Sequence, residues 1–545
     1  GLLQSWILCG ILFPGLLGLL FLRKDLRRFS FENVGIISGV MLVCLVATVA
    51  MDLLEALAPP ADADTLAYHY ALPKQFLKNG VIEFVPIVVD GAIPLLTHMT
   101  YLLALGLGGE TSLTLWSFTT QIFMMLALYG VGRRWLSREW SLALVLVFET
   151  TPAVIYGGGS GHMEVRTAIF MLIGAVAIAE GTKKKSTSLV ILAGMMAGFF
   201  MGSKYFGLFA ATGIGSVILL QKNYWRTGMI FSVAALLSGG QWYGWNWYNS
   251  GMPVFPTMYH FMGSPVSPFW NEVFQQELMK GVEYVCVPSN ILWLFWYPIA
   301  TTFNPESCFD SGRIGLGPFM WLLLPGVFYG LWHYRRRFKD SLLFKFSIPA
   351  TIYYVLWFLI PSNQMTRHLV PIYPVVILFA SVVIHHSFLE LNESLGHLLW
   401  KISAAICIFL GLGIQSLFAL NYVKYHLTQE TRDVFYLRNV GHYNVAKWIN
   451  KNLNESNRIG NSIRYLNYLI EIPYYSTRST QSLFSRYPST ESQNIYNELK
   501  RLKITHVMCD LDSSFSSKYY FETITFSSRT LGESTKSSCN IVKIK

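Results

Sequence analysis

The sequence predicts a polytopic α-helical membrane protein with about 12 transmembrane helices and a small α/β domain at its C-terminal end. Hydrophobic residues make up 52% of the 545 residues, whereas charged residues make up only 13%. A soluble chain of this length could not bury so much apolar surface in one core, so lipid is the expected solvent. The 16 tryptophans fit the aromatic belts found at the two faces of a membrane.

The spans follow from apolar stretches that approach the roughly 20 residues needed to cross a bilayer. They lie near 4–22, 34–58, 112–132, 141–157, 165–181, 187–203, 205–220, 227–247, 315–333, 343–361, 368–388 and 399–421. The chain therefore divides into an additional N-terminal membrane helix with a basic loop (1–33), a transmembrane domain (34–421) and a soluble domain (422–545).

The net charge of +11 is concentrated in short basic runs between the apolar stretches. This pattern sets membrane topology and argues against nucleic-acid binding. The runs are Arg23–Arg28, Arg133–Arg138, Lys183–Lys185, Lys222–Arg226 and Arg335–Lys339. If all of them are cytoplasmic, an even number of spans separates each pair, and the stretches 92–108 and 287–302 lie on or dip into the outer face.

This topology places several segments on one extracytoplasmic face of a multi-pass membrane protein. They are 59–111, 158–164, the turn Ser203–Lys204, 248–314, the turn 362–367 and everything after about 422. Function is therefore expected from residues that share this face.

The tail after residue 422 changes to a composition rich in Ser, Asn, Tyr, Lys and Arg. Helix-like stretches (Val445–Asn452 and Ile495–Leu502) alternate with β-rich runs such as Ile504–Cys509, which predicts an α/β domain. Four cysteines fall on the outer side, where disulfides are permitted. The expected pairs are Cys286 with Cys308 and Cys509 with Cys539, and the alternative is four free thiols.

The first outer loop contains Asp64 directly after a long span. A carboxylate that is partly desolvated at a membrane surface can act as a general base or bind a metal or a hydroxyl group. Helical periodicity from Thr65 to Leu77 places Tyr68 and His69 one turn away. The alternative is that Asp64 only caps this helix.

The second outer loop, Tyr156–Arg166, combines glycines with His162 and Glu164. Glycine allows close approach of the backbone to a ligand, and exposed amides bind phosphate. The alternative is a flexible turn followed by an interfacial acid.

Two cations complete the set of candidate residues. Arg367 lies in the turn Pro361–His368, and Lys204 lies between two spans. The planar guanidinium fork suits a phosphate group, whereas the alternative for both cations is contact with lipid headgroups. Two acids and two cations are thus expected on one side of the membrane.

Several motifs resemble those of GT-C glycosyltransferases, which are multispan enzymes that use lipid-phosphate-linked sugars. The similarity is greatest to bacterial proteins of the protein O-mannosyltransferase and aminoarabinose-transferase type and covers roughly residues 34–390. The matching segments are Asp64–Lys74, Tyr156–His162, Gly202–Leu208, Pro253–Pro256 and Gln364–Pro371.

The resemblance implies a polyprenyl-phosphate sugar donor and an inverting transfer. Because the similar proteins are bacterial, it also implies a location in the bacterial inner membrane. Asp64 corresponds to the family's catalytic base, with Asp62 as a weaker alternative, and Glu164 stands where the second acid is often Asp. Lys204 and Arg367 would stabilise the departing phosphate.

The same resemblance makes Tyr68, His69, His162, Gln364 and His368 supporting residues, although His368 stands where an aromatic residue is commoner. The tail would bind the acceptor, whose identity stays open. No metal ligands are assigned, and a requirement for a divalent metal is left open.

Two other functions compete with catalysis. A GT-C-like chain could be an inactive scaffold subunit that binds partner membrane subunits in a larger complex, and the departures at Glu164 and His368 favour this reading. A transporter also has many spans, but it usually carries ionisable residues in the middle of them, whereas here they cluster at one face.

Overall fold

The structure of the chain is a computed structural model. The structure describes residues 3–13, 35–85, 91–155, 159–257, 259, 272, 275–276, 287–303, 315–317, 319, 322, 326–332, 341–360, 364–390, 395–476, 492–509, 516–528 and 537–545. Residues Tyr156–Gly158, Cys286 and Cys308, and much of the predicted spans 4–22 and 315–333, lie outside this described part.

Helices dominate the described part of the first 427 residues. In chain order the helices are α1 (Ile36–Leu57), α2 (Ala71–Asn79), α3 (Leu96–Gly132), α4 (Arg138–Glu149), α5 (Pro152–Ile155), α6 (Glu164–Lys184), α7 (Thr187–Met201), α8 (Gly207–Ser216), α9 (Tyr224–Gly239), α10 (Gln241–Ser250), α11 (Ile291–Phe303), α12 (Leu342–Leu359), α13 (Tyr373–Glu390), α14 (Leu395–Leu427), α15 (Arg432–Asn439), α16 (Tyr443–Asn452) and α17 (Ser492–Arg501). Short turns of other helical types cover Thr65–His69 (π) and Val217–Leu220, Thr366–Leu369, Arg464–Leu466 and Ser517–Tyr519 (3₁₀). Residues 5–13 and 326–332 are helical as well.

Within the described residues, five helices are long and apolar enough to cross a membrane, namely α1, α3, α6, α12 and most of α14. Shorter apolar helices are α7, α11, most of α13, and α8 with the turn that follows it. The chain is thus an integral membrane protein, but the predicted number of about 12 spans is not confirmed.

Two of the long helices present apolar side chains outward. On α1, Val43 and Val46 are 70% and 67% exposed, and on α14, Leu417 and Leu420 are 70% and 58% exposed. Water would disfavour such faces, whereas lipid tails match them. These faces are therefore expected to contact the bilayer.

Helix α7 packs closely against α9 through glycine. A Cβ atom at Gly198 would collide with the carbonyl oxygen of Ala235 and the hydroxyl of Ser238, and one at Gly194 would meet the carbonyl oxygen of Phe231. Small residues allow two helix backbones to approach in this way, which is how helices commonly associate within membranes.

Helix α3 joins two stretches that were predicted separately, 92–108 and 112–132. Gly109 interrupts it with φ 70° and ψ −163°, a conformation that only glycine adopts readily. The break predicted between these two stretches is therefore confirmed, because two helical segments meet at a kink at Gly109.

The tail forms an α/β domain, as its alternating pattern predicts. Its strands are β1 (Ile459–Asn461), β2 (Tyr474–Ser476), β3 (His506–Met508), β4 (Tyr520–Ser528) and β5 (Ser537–Ile544). They form one sheet in the order β2-β1-β3-β5-β4. Strand β1 runs parallel to β2 and β3, whereas β5 runs antiparallel to β3 and β4.

One of the two expected cysteine pairs is confirmed. Cys509 and Cys539 form a disulfide bond, with their Cα atoms 4.6 Å apart. Cys9, Cys44 and Cys407, which fall in predicted spans, are free thiols.

The tail domain packs directly on the first loop, which lies between α1 and α2. The amide of Tyr468 donates to the carbonyl oxygen of Leu66 at 3.1 Å, and Nδ2 of Asn467 donates to the carbonyl oxygen of Ala67 at 2.9 Å. Nζ of Lys74 donates to the carbonyl oxygen of Tyr468 at 2.8 Å. These bonds fix one segment of the tail against the loop that carries Asp64.

Candidate active site

The first loop holds two aspartates with different partners. Asp62 accepts a hydrogen bond from the amide of Thr65, with 2.8 Å between Oδ2 and N, and so caps the turn that follows. The side chain of Asp64 makes no cap bond. The alternative reading of Asp64 as a helix cap is therefore wrong, because Asp62 already accepts from the amide at the start of the turn.

Asp64 lies between two arginines from distant parts of the chain. Its Oδ2 atom is 2.9 Å from Nη1 of Arg367, and its Oδ1 atom is 2.8 Å from Nη2 of Arg464. Arg367 belongs to the turn between α12 and α13, whereas Arg464 belongs to the tail domain. Burial raises the pKa of Asp64, but Arg367 and Arg464 lower it further, so that the net pKa lies below its usual value.

A chain of alternating charges connects the second loop to the first. Oε1 of Glu164 is 2.6 Å from Nζ of Lys204, and its Oε2 is 3.5 Å from Nδ1 of His162. Nε2 of His162 is in turn 3.2 Å from Oδ2 of Asp62. The structure thus brings both predicted acids and both predicted cations together, each acid paired with a cation.

The imidazole of His162 is a cation in this arrangement. Burial by itself lowers the pKa of His162, but Asp62 and Glu164 raise it to about 10. Burial likewise raises the pKa of Asp62, yet His162 and the amide of Thr65 hold it below its usual range. His162 is therefore positively charged near neutral pH and forms ion pairs with both carboxylates.

Tyr68 and His69 lie one turn after Asp64, as the sequence predicts. The guanidinium of Arg464 lies over the ring of Tyr68, 5.4 Å from its centroid. Nδ1 of His69 is 3.2 Å from Nε2 of His98, and both side chains are buried. Burial, followed by the neighbouring His98, holds the pKa of His69 well below its usual value, so the ring is neutral.

Two backbone amides of the glycine-rich second loop donate to side chains of the protein. The amide of Gly161 donates to Oγ1 of Thr65 at 2.9 Å, and the amide of Gly159 donates to Oε2 of Glu55 at 3.1 Å. A Cβ atom at Gly161 would lie 2.8 Å from Cε1 of Tyr70. The hypothesis that these two amides face a phosphate is therefore wrong, because side chains of the first span and first loop accept from them.

Gln364 and His368 are not brought into the cluster of charges. Oε1 of Gln364 accepts from the amide of Val287 at 3.1 Å, and Nε2 donates to the carbonyl oxygen of the same residue at 3.2 Å. The ring of His368 packs on Phe206, with 4.6 Å between ring centroids. Both residues support the turn that carries Arg367.

A divalent metal ion does not fit this cluster. Asp64 is paired with two arginines and Glu164 with a lysine, so a further cation would meet repulsion at each carboxylate. No group of three or more His, Cys, Asp or Glu side chains suited to a metal occurs in the part of the chain that the structure describes.

A polar cleft of about 490 Å³ lies between α2 and the tail domain. It is lined by residues of both parts, including Gln75, Asn79, Arg458, Asn467 and Tyr474. Side-chain amides and an aromatic ring provide hydrogen bonds and an apolar face within one cleft.

The architecture is similar to that of solved membrane glycosyltransferases. ArnT from Cupriavidus metallidurans in the apo state matches with a TM-score of 0.53 and 13% identity, over 86% of this chain and 93% of that chain. ArnT bound to undecaprenyl phosphate matches with a TM-score of 0.51 and 13% identity, over 87% of this chain and 93% of that chain. The Archaeoglobus fulgidus oligosaccharyltransferase in complex with Zn and sulfate matches with a TM-score of 0.53 and 12% identity, over 86% of this chain and 67% of that chain.

These proteins are GT-C glycosyltransferases, so the expected resemblance is confirmed for the fold. The chain has the GT-C fold. No protein-family model matches the sequence, and no curated protein matches it.

Within this GT-C fold, one residue of the cluster was missed by sequence reasoning. Arg464 lies in the tail domain, 400 positions from Asp64, in a segment without a recognisable motif. No local pattern signals its role, because the contact depends on how the tail domain packs on the first loop.

Proposed function

We propose that the protein is a GT-C glycosyltransferase that moves a sugar from a polyprenyl-phosphate donor to an acceptor on the extracytoplasmic face. The observation that carries the proposal is the pairing of Asp64 with Arg367. It combines an acid that can take a proton with a cation that can hold a phosphate. The GT-C fold supports the proposal, since ArnT, which shares the fold, was solved with undecaprenyl phosphate.

The donor would lie with its polyprenyl chain among the apolar helices and its phosphate at the cluster of charges. Arg367 and Lys204 would bind the phosphate oxygens. Negative charge grows on these oxygens as the sugar departs, so fixed cations stabilise the transition state more than the ground state. Glu164 orients Lys204 through the 2.6 Å ion pair.

The transfer would be a single displacement at the anomeric carbon. Asp64 takes the proton of the acceptor hydroxyl, whose oxygen forms a bond to that carbon from the side opposite the phosphate. The bond from the same carbon to the phosphate oxygen breaks, and polyprenyl phosphate leaves with its electron pair. The configuration of the sugar is inverted, and nothing is oxidised or reduced.

The cleft between α2 and the tail domain is the proposed entry for the acceptor. Asn467 lines the cleft and also bonds to the carbonyl oxygen of Ala67 in the first loop. An acceptor rich in hydroxyl groups would suit its amides, arginine and aromatic ring.

An inactive scaffold is the second candidate function. The observation in its favour is that Arg367 and Arg464 lower the pKa of Asp64, and a carboxylate of low pKa is a weak base. A scaffold would show no transfer with any donor.

A transfer assay tests the proposal directly. The purified protein is placed in vesicles with radiolabelled polyprenyl-phosphate sugars and crude acceptor membranes. The expected result is labelled acceptor together with free polyprenyl phosphate. Absence of both products with a broad pool of sugars would favour the scaffold.

A further inference from the structure

We infer that Arg464 and Arg367 together form a binding site for one phosphate group, and that Asp64 occupies this site while no lipid phosphate is bound. That the phosphate belongs to a polyprenyl lipid rests on the proposed function, whereas the anion site itself is inferred from the geometry. The tail domain is then part of the donor site as well as the proposed acceptor cleft.

The geometry of the ion pairs supports a phosphate site. Each oxygen of Asp64 faces a different guanidinium group, at 2.9 Å to Arg367 and 2.8 Å to Arg464. Two oxygens of a phosphate can take the same positions, because carboxylate and phosphate are both bound by paired N–H groups of arginine. The carboxylate thus stands in for an anionic ligand.

Arg464 is held in place from two directions. It begins the turn Arg464–Leu466, and the segment that follows is bonded to the first loop through Asn467 and Tyr468. Its guanidinium also packs over the ring of Tyr68. A side chain fixed in this way binds an anion with little loss of conformational entropy.

Displacement of Asp64 would link donor binding to the activation of the base. When a phosphate takes both arginines, Asp64 no longer lies between two cations, and its pKa rises towards the usual value of a carboxyl group. A stronger base is then available only when a donor is present. Without a donor, Asp64 stays ionised and holds the two arginines in position.

The test measures binding of undecaprenyl phosphate to the purified full-length protein in nanodiscs, with undecaprenol as the ligand that lacks the phosphate. Arg464→Gln should bind about 10-fold to 100-fold more weakly, the range for a lost charge-assisted hydrogen bond. Arg464→Lys should recover part of the affinity. Arg501→Gln is the matched control, because Arg501 is exposed, lies in the same domain and pairs with Glu498.

The variant Asp64→Asn tests whether Asp64 occupies the phosphate site in addition to acting as a base. If Asp64 competes with the phosphate, this variant should bind undecaprenyl phosphate about fivefold more tightly, the factor expected for a lost ion pair of about 1 kcal/mol. Unchanged or weaker binding would remove Asp64 as the occupant of the site. This measurement does not depend on whether the Arg464 variants fold.

The outcomes distinguish the inference from the proposed function. If the wild-type protein binds undecaprenyl phosphate no better than undecaprenol, both the donor class and the phosphate site are wrong. If the wild type prefers the phosphate but Arg464→Gln binds equally well, only the role of Arg464 is overturned. The midpoint of thermal unfolding of each variant shows whether a loss reflects misfolding.

Discussion

Arg464 of the tail domain donates to Asp64 of the first loop, with 2.8 Å between Nη2 and Oδ1, although 400 positions separate the two residues in the sequence. On the other oxygen of the same carboxylate lies Arg367, which belongs to the membrane domain. The candidate site is therefore shared between the two domains, and a change in either domain should alter it.

The first prediction concerns Asp64→Asn and transfer. We expect sugar transfer to fall by about 10²-fold to 10⁴-fold, because asparagine cannot take the proton of the acceptor. Folding and insertion should be kept, since the cap of the turn is provided by Asp62. The rate of labelled product formation is the measurement.

Asp433→Asn is the control for this change, because Asp433 pairs with Lys447 on the tail surface, at 2.6 Å, outside the cluster. Full activity of the Asp64→Asn protein would remove Asp64 from the mechanism. Asp62 and Glu164 would then be the next candidates for the base.

The second prediction is a fall in stability at alkaline pH. The folded pKa of His162 is about 10, above its usual 6.5, so the folded state binds this proton more tightly than the unfolded state. The stabilisation is complete below about pH 6.5 and is lost as the pH rises towards 10. The midpoint of thermal unfolding should decrease across this interval, and decrease less in His162→Gln.

The stabilisation that Asp62 provides depends on pH in the opposite direction. The pKa of Asp62 is lowered in the folded state, so its stabilisation is present above its usual value of 3.8 and is lost as the pH falls below it. His506→Gln is the control for the alkaline decrease. Burial, followed by Lys543, lowers the pKa of His506 to about 4, so its ring does not titrate between pH 6.5 and 10. An equal alkaline decrease in wild type and His162→Gln would contradict the prediction.

The third prediction concerns topology. Ser456→Cys, on the exposed surface of the tail, should react with an impermeant thiol reagent from the extracytoplasmic side of intact cells. Lys184→Cys, in a basic run, should react only after the membrane is opened. The background protein keeps the disulfide bond between Cys509 and Cys539, which does not react with the reagent, and lacks the other cysteines. Labelling of Ser456→Cys only from the cytoplasmic side would overturn the proposed orientation.

The fourth prediction concerns the disulfide bond between Cys509 and Cys539. The bond closes a loop with a sequence separation of 30, so its removal should destabilise the tail domain by about 3 to 4 kcal/mol in the loop-entropy account. Hydrogen exchange in β3 and β5 measures the effect in Cys509→Ser/Cys539→Ser. Cys407→Ser, at a free thiol, should leave the exchange unchanged.

The fifth prediction concerns packing in the membrane domain. Gly198→Ala should destabilise the contact between α7 and α9 by about 1 to 3 kcal/mol, because the new Cβ atom meets the backbone of Ala235. Gly228→Ala on α9 is the matched control, since a Cβ atom there meets nothing within 4 Å. Equal unfolding midpoints of the two variants would show that the helices can move apart freely.

The sequence by itself determined the class of protein and much of the site. Lipid as solvent requires long apolar helices, so composition alone predicts a membrane protein. The alternation of helix and strand in the tail followed from local patterns. The shared face of the loops predicted two acids and two cations on one side of the membrane, and it made Cys509 with Cys539 one of the expected pairs.

Only the tertiary structure decided which partners these residues have. Arg464 reaches Asp64 because the tail domain packs on the first loop, and no periodicity in the sequence encodes a contact at that separation. In the same way, the capping role fell to Asp62, and the amides of the glycine loop were taken by Thr65 and Glu55. Local patterns predict which groups lie near the membrane surface, whereas hydrogen bonds between distant segments depend on the packing of the whole chain.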